Sequence, residues 1–272
     1  MMGEHDGRVA LITGGSSGIG AGAALELARQ GAAVAIHGAQ HAEAETLAEA
    51  VRSAGGRALA LSGPIQDAAT TASAVEATVA AFGRLDTLVT SAGIQRYGDA
   101  VSTTEQLWDE VMDVNAKGVF LAAQAALPHL RASPAGSVVI VASVQATASQ
   151  ASVVAYTASK GALVAMARAM AVDEAAYGVR VNTVSPGSVD TPMLRHAAAL
   201  FTDGTADAVE RLIATWGSAH ALGRVATMEE VGAVIAFLAG PRASFITGAD
   251  IRVDGGMLAR IAAALPDRQA GS

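Results

Sequence analysis

The segment Tyr156-Thr157-Ala158-Ser159-Lys160 places a phenol and an ammonium four positions apart. On a helix that spacing puts both groups on one face. A free phenol titrates near ~10 and is a poor base at neutral pH. A neighbouring ammonium favours the phenolate and lowers that value. Such a tyrosine can give a proton to a carbonyl oxygen or take one from an alcohol. The chain holds only two lysines and three tyrosines, so the pairing is uncommon by chance, although an amphipathic tyrosine beside a surface lysine would look the same. Ser143 lies at the end of an apolar run, thirteen residues before Tyr156. If that run is a strand, Ser143 stands where open α/β sheets bind their ligands.

A second cluster, Thr13-Gly14-Gly15-Ser16-Ser17-Gly18-Ile19-Gly20, follows the apolar run at 9–12. Glycines between a strand and a helix permit a tight turn and close backbone approach to a pyrophosphate. The free amides and positive dipole end of the following helix favour that anion. The spacing is TGxxxGxG rather than GxGxxG, and glycines also serve ordinary turns.

The elements that must position these groups alternate along the chain. Short apolar runs predict strands at 9–12, 34–36, 58–61, 85–90, 137–142, 180–184 and 249–253. Helices are expected at 19–30, 41–54, 67–82, 104–130, 153–177 and 228–239. This βαβα rhythm implies an α/β fold: a single-domain, Rossmann-like, doubly wound parallel β-sheet flanked by helices on both faces. One domain is expected over 1–272. A weakly helical insertion at about 188–222 has the placement of a substrate loop or lid. The tail, about 259–272, turns polar and reads as loose.

Composition narrows the function. The chain has 272 residues, 51% hydrophobic, 29 glycines and few aromatics, enough for a large core. A net charge of −7 without a basic block argues against nucleic acid. There is no cysteine, so neither disulfides nor thiolate metal sites can form. His196 and His220 lack carboxylate spacing for a metal, and none is expected. The first seven residues are polar and no apolar run reaches a membrane span, so a cytoplasmic protein is expected.

Together these residues resemble the short-chain dehydrogenase/reductase family over nearly the whole chain. The motifs appear in order: TGGSSGIG at 13–20, SAG at 91–93, DVNAKG at 113–118, Ser143, YTASK at 156–160 and SPGSVDTP at 185–192. The resemblance implies an oxidoreductase that interconverts a secondary alcohol and a ketone, or a sugar hemiacetal and a lactone, with NAD(H) or NADP(H). It implies a catalytic tetrad of Asn115, Ser143, Tyr156 and Lys160. Tyr156 would be the general acid/base and Ser143 would hold the substrate oxygen. Lys160 would bind ribose hydroxyls, and Asn115 would hold a water leading from Lys160 to solvent. The cofactor would lie along Gly14, Ser16, Ser17, Gly18, Ile19, Gly20, His37, Ala92, Gly93, Asn115, Tyr156, Lys160, Pro186, Gly187, Val189 and Thr191. Relatives are commonly homotetramers, so a homo-oligomer is expected. A non-catalytic dinucleotide-binding redox sensor on the same fold is the alternative.

Three positions depart from the family pattern. The second strand ends His37-Gly38-Ala39-Gln40, with neither the acid that holds a ribose 2′-hydroxyl nor a basic clamp for a 2′-phosphate. The missing acid and the nearby His37 lean the expectation toward NADP(H). Pro64 replaces an aspartate that contacts adenine, and Thr90 replaces an asparagine, leaving a hydroxyl that can still hydrogen-bond. For the small-molecule alcohol or carbonyl substrate, Arg96, Ser143, Gln145, Gln150 and Tyr156 are the candidate contacts. Arg96 could pair with a carboxylate or phosphate. The apolar residues of 188–222 would instead suit a lipid-like or cyclic ketone.

Overall fold

A computed structural model describes residues 3–261. The strands β1 (Val9–Thr13), β2 (Ala33–Gly38), β3 (Arg57–Ser62), β4 (Thr87–Thr90), β5 (Ser137–Val141), β6 (Arg180–Pro186) and β7 (Asp250–Val253) form one parallel sheet. Their order is β3-β2-β1-β4-β5-β6-β7. All positions of β1, β2, β4 and β5 are buried, which is why these strands read as continuous apolar runs rather than alternating ones. The helices are α1 (Gly18–Arg29), α2 (His41–Ser53), α3 (Ala68–Phe82), α4 (Glu105–Met112), α5 (Gly118–Arg131), α6 (Val154–Glu174), α7 (Pro192–Leu200), α8 (Ala206–Gly217) and α9 (Met228–Ala239). Among them α1, α2 and α9 cover one face of the sheet, through Leu27, Val51 and Ile235. The other face is covered by α3, α5 and α6, through Val75, Leu130 and Leu163. The expected doubly wound α/β fold is borne out.

Sheet growth reverses between β1 and β4, and the crevice above that switch point is where such sheets bind ligands. The segments after β1, β4, β5 and β6 all open there, so they carry the candidate residues.

Two expectations change. The single helix expected over 104–130 is two helices joined by a wide turn at Asp113–Lys117, where the Gly118 amide donates to the Asp113 carbonyl five residues back. The turn contains Asn115, and such widened turns recur at functional sites. The insertion at 188–222 is more ordered than expected. Thr191 and Thr205 accept from Leu194 and Ala208 amides, capping α7 and α8. Arg195 then ties Asp190 to Glu210 across the two helices. The tail expected to be loose lies outside the described residues from 262 onward. No helix among the described residues is long and apolar enough to cross a membrane.

Small residues set the approach of α1 and α9. A Cβ on Gly232 would lie 2.6 Å from the Gly22 carbonyl oxygen, and one on Gly22 would lie 2.4 Å from that of Met228. Both obstacles are backbone, so a side chain must push the helices apart. Gly232→Val is therefore expected to lower unfolding free energy by at least ~1 kcal/mol. Urea denaturation checks this, and an unchanged midpoint would mean that the contact yields freely.

Candidate active site

The tetrad converges at the ends of β4 and β5. Lys160 and Tyr156 occupy the first two turns of α6, both buried. The Lys160 ammonium donates to the Val141 carbonyl, 2.9 Å away, and its Nζ stands 5.5 Å from the Tyr156 ring centroid. Ser143 follows β5, and its Oγ accepts from the Gln145 amide at 3.1 Å. The Asn115 carboxamide pairs with the Ile94 backbone, accepting from its amide (2.8 Å) and donating to its carbonyl (2.9 Å). Its second donor goes to Ser159 Oγ at 3.1 Å, and that hydroxyl donates to the Tyr156 carbonyl at 2.7 Å. Sequence reasoning missed Ser159 because a serine inside a helix carries no signal of the partner it will meet. Both side-chain donors of Asn115 are thus committed, to Ile94 and Ser159.

Burial dominates the electrostatics. It pushes the Tyr156 phenol up to about 12, against the Ser143 hydroxyl hydrogen bond, which pulls it down. It lowers the Lys160 ammonium to about 8. The lowering of the tyrosine expected from the lysine is not seen: burial sets the direction, and the Lys160 ammonium donates to the Val141 carbonyl. At neutral pH the phenol therefore carries its proton and the lysine remains mostly charged.

The glycine turn after β1 forms a cradle that fits a pyrophosphate. Gly14 has φ +65°, and a Cβ there would lie 2.5 Å from the Ala92 amide nitrogen. A Cβ on Gly20 would lie 2.1 Å from the Gly14 carbonyl oxygen. Ser17 makes no side-chain cap, so the first amides of α1 face the crevice uncapped. Opposite, Gly93 passes Asn115 Oδ1 and Lys160 Nζ at distances of 3.4 and 3.7 Å from where its Cβ would be.

Comparison with known proteins agrees with this geometry. A family model described as enoyl-(acyl carrier protein) reductase matches residues 14–258. Cis-4-hydroxycyclohexanecarboxylate dehydrogenase of Sinomonas cyclohexanicum is 39% identical over 93% of this chain and 97% of its own length. The chain belongs to the short-chain dehydrogenase/reductase family. D-threitol dehydrogenase of Mycolicibacterium smegmatis is also 39% identical, over 92% of this chain and 93% of its own. The ligand-free aldohexose dehydrogenase of Thermoplasma acidophilum superposes with a TM-score of 0.89 at 29% identity, over 98% of this chain and 100% of that one. As a member of this family the chain is an oxidoreductase acting on CH–OH groups, as its motifs imply.

The other residues expected at the site of this short-chain dehydrogenase/reductase divide into those that reach the cavity and those that do not. A cavity of about 770 Å³ opens beside Ser143 and Tyr156, lined also by Ile19, Gln95, Tyr97, Gln145, Gln150, Pro186, Gly187, Val189 and Thr191. Arg96 does not line it; its guanidinium pairs with Glu110 at 2.5 Å, fourteen residues away in sequence. In this structure the Arg96 guanidinium thus meets Glu110 rather than the cavity. His37 is buried, and both ring nitrogens lack a hydrogen-bond partner. Burial lowers its pKa, so it is a neutral ring in the sheet rather than a cation offered to a phosphate. Thr13 and Thr90, its neighbours along the sheet register, also keep buried hydroxyls without partners. The hydrogen bond expected of Thr90 is thus not made. Pro64 is exposed on the loop after β3.

Glu43 and His220 were not foreseen. Ser16 Oγ lies 3.5 Å from Glu43 Oε2, and a Cβ on Gly38 would meet Ser16 Oγ at 2.6 Å. These three sit together above β1 and β2. His220 is buried beneath the β6 loop, where its Nε2 accepts from the Ser188 amide at 3.0 Å. That bond ties the end of α8 to the segment after Pro186. His196 is exposed on α7, so the two histidines do different things.

The lowered Lys160 has a consequence for stability. Between about 8 and its ordinary 10.5, the unfolded chain holds the proton that the folded chain has released. Unfolding then takes up a proton, and stability rises with pH across that window. Tyr156 opposes this only above its ordinary 10.0. Urea denaturation from about pH 8 to about pH 10 should show a contribution that rises, and Lys160→Met should flatten it. An identical slope in both proteins would mean that the ammonium keeps its charge in the fold.

Proposed function

We propose that this oxidoreductase works as a dehydrogenase/reductase in which Tyr156 exchanges a proton with the oxygen of a small alcohol or ketone. The observation that carries this reading is the Tyr156 phenol, with Ser143, on the wall of an open cavity at the sheet's switch point, buried so that its pKa is pushed up and it holds its proton. When bound, a nicotinamide dinucleotide supplies or accepts the hydride. The chain's own residues do the rest. The Ser143 hydroxyl orients the substrate oxygen and stabilises charge that develops there. Tyr156 gives its proton to that oxygen in reduction and takes it back in oxidation. The Lys160 ammonium, fixed by the Val141 carbonyl, steadies the phenolate and offers its remaining donors to ribose hydroxyls. Pro186, Gly187, Val189 and Thr191 wall the nicotinamide side, held by His220. A redox sensor would have no use for an acid–base tyrosine on such a cavity. The three named relatives act on a hydroxycyclohexanecarboxylate, a polyol and aldohexoses, which supports an alcohol carbon as the reacting centre.

For the dinucleotide the favoured form is NAD(H), a change from the reading that His37 and the missing acid suggest. His37 is buried and neutral. Glu43 supplies near Ser16 the carboxylate that β2 lacks. An anion there accepts from a ribose hydroxyl and repels a 2′-phosphate.

Tyr156→Phe is expected to lower turnover by ~10²–10⁴-fold while leaving dinucleotide affinity near that of the parent protein. Fluorescence titration and steady-state kinetics on one preparation test both parts, and normal turnover would sink the mechanism. In separate titrations the parent should bind NADH more tightly than NADPH, and Glu43→Gln should tighten NADPH about two- to fivefold. Tighter NADPH binding by the parent would reverse the assignment.

A further inference from the structure

The cavity walls say what can enter. Among the described residues no Asp, Glu, Lys, Arg or His side chain lines the cavity. Arg96 is paired with Glu110, and Arg195 is held by Asp190 and Glu210. The polar side chains that remain are neutral amides and hydroxyls, among them Gln95, Gln145 and Gln150. The lid wall is hydrocarbon and indole: Met193, Leu194, Leu212 and Trp216 from α7 and α8, and Phe201 just after α7. Phe201 meets Tyr97 edge-on, with centroids 5.0 Å apart and planes at 90°. Tyr97 belongs to the segment after β4 and Phe201 to the lid, so this contact joins the cavity's two sides.

Resting on the reading that Ser143 and Tyr156 hold the reacting oxygen, we propose that the substrate is an uncharged secondary alcohol or ketone flanked by an apolar ring or branched hydrocarbon. Tyr97 and Phe201 form the end wall that fits that group. A carboxylate or phosphate would lose its hydration with no cation to meet it. A free polyol would meet Gln95, Gln145 and Gln150 with some hydroxyls but would set others against the hydrocarbon of α7 and α8, whose lining side chains offer no oxygen. An alicyclic ring leaves only one oxygen to satisfy, and Ser143 and Tyr156 satisfy it. In reduction the C=O π bond breaks, the carbon gains a hydride from the reduced dinucleotide and the oxygen gains the Tyr156 proton. Oxidation is the reverse, with the oxidised dinucleotide as the sole co-reactant.

Two readouts separate this inference from the catalytic one. Trp216 lines the cavity and the chain's other tryptophan, Trp108, lies on α4, so in Trp108→Phe protein the indole emission reports on the cavity alone. Cyclohexanol should change that emission saturably, with and without oxidised dinucleotide, whereas 3-hydroxybutyrate and xylitol should not. In turnover, kcat/KM for cyclohexanol should exceed that for either of the others by at least ~100-fold. Phe201→Ala should lower kcat/KM for cyclohexanol roughly tenfold with unchanged dinucleotide Kd, and Tyr97→Phe, which keeps the ring, should leave it intact. Equal or better use of the hydroxy acid or polyol, no emission change with cyclohexanol, or an inert Phe201→Ala would each overturn the assignment. Saturable cyclohexanol binding without turnover would support this substrate class and overturn the catalytic reading instead.

Discussion

The buried carboxamide of Asn115 is the joint on which the site hangs. It pairs with the Ile94 backbone as a neighbouring strand would, and it reaches Ser159 on α6. One side chain therefore fixes the segment after β4, the junction of α4 and α5, and the helix that carries Tyr156 and Lys160. The geometry requires the widened turn at Asp113–Lys117, because a regular helix has no spare residue to turn inward at that point. Within the fold each of these polar groups has a partner, so the network specifies one arrangement at low cost. If Asn115 lost that role, three segments would lose their common reference, although the sheet beneath them would remain.

The sheet was legible because its strands are buried on both faces and so read as plain apolar runs. The glycine turn was legible for a similar reason: Gly14 and Gly20 sit where backbone leaves no room for a Cβ. Tyr156, Lys160 and Ser143 could be read because their chemistry is encoded by spacing and by position at a strand end. What could not be read depends on partners distant in sequence. Nothing local says that Arg96 will be taken by Glu110. Nothing in His37-Gly38 says that the imidazole turns into the sheet, or that Glu43 from the next helix comes up beside Ser16. The break at Asn115 was hidden because its cause lies on two other segments.

Where the chain departs from its family, the loss and its replacement are separate. Thr90 and Thr13 keep hydroxyls that find no partner, and His37 beside them has two unpartnered nitrogens. The three lie in one row along the sheet register. Thr90 ends β4 beside Ile140, so the row borders the site at its base. A carboxylate absent from the end of β2 is present instead in the first turn of α2, at Glu43 beside Ser16. There the helix dipole also favours an anion.

The proton donor and the character of the cavity have one cause. Removing water from around Tyr156 raises its phenol to about 12, and the same desolvation lowers Lys160 to about 8. A cavity lined with charged anchors would bring water with it and would return both groups toward their ordinary values. The apolar wall of α7 and α8, with neutral amides beside it, leaves the phenol a still weaker acid than it is in water. It also makes any charged substrate pay desolvation without compensation. The proposed preference for a neutral substrate and the raised phenol thus trace to the same burial, and a mutation that hydrates that wall should relax both together.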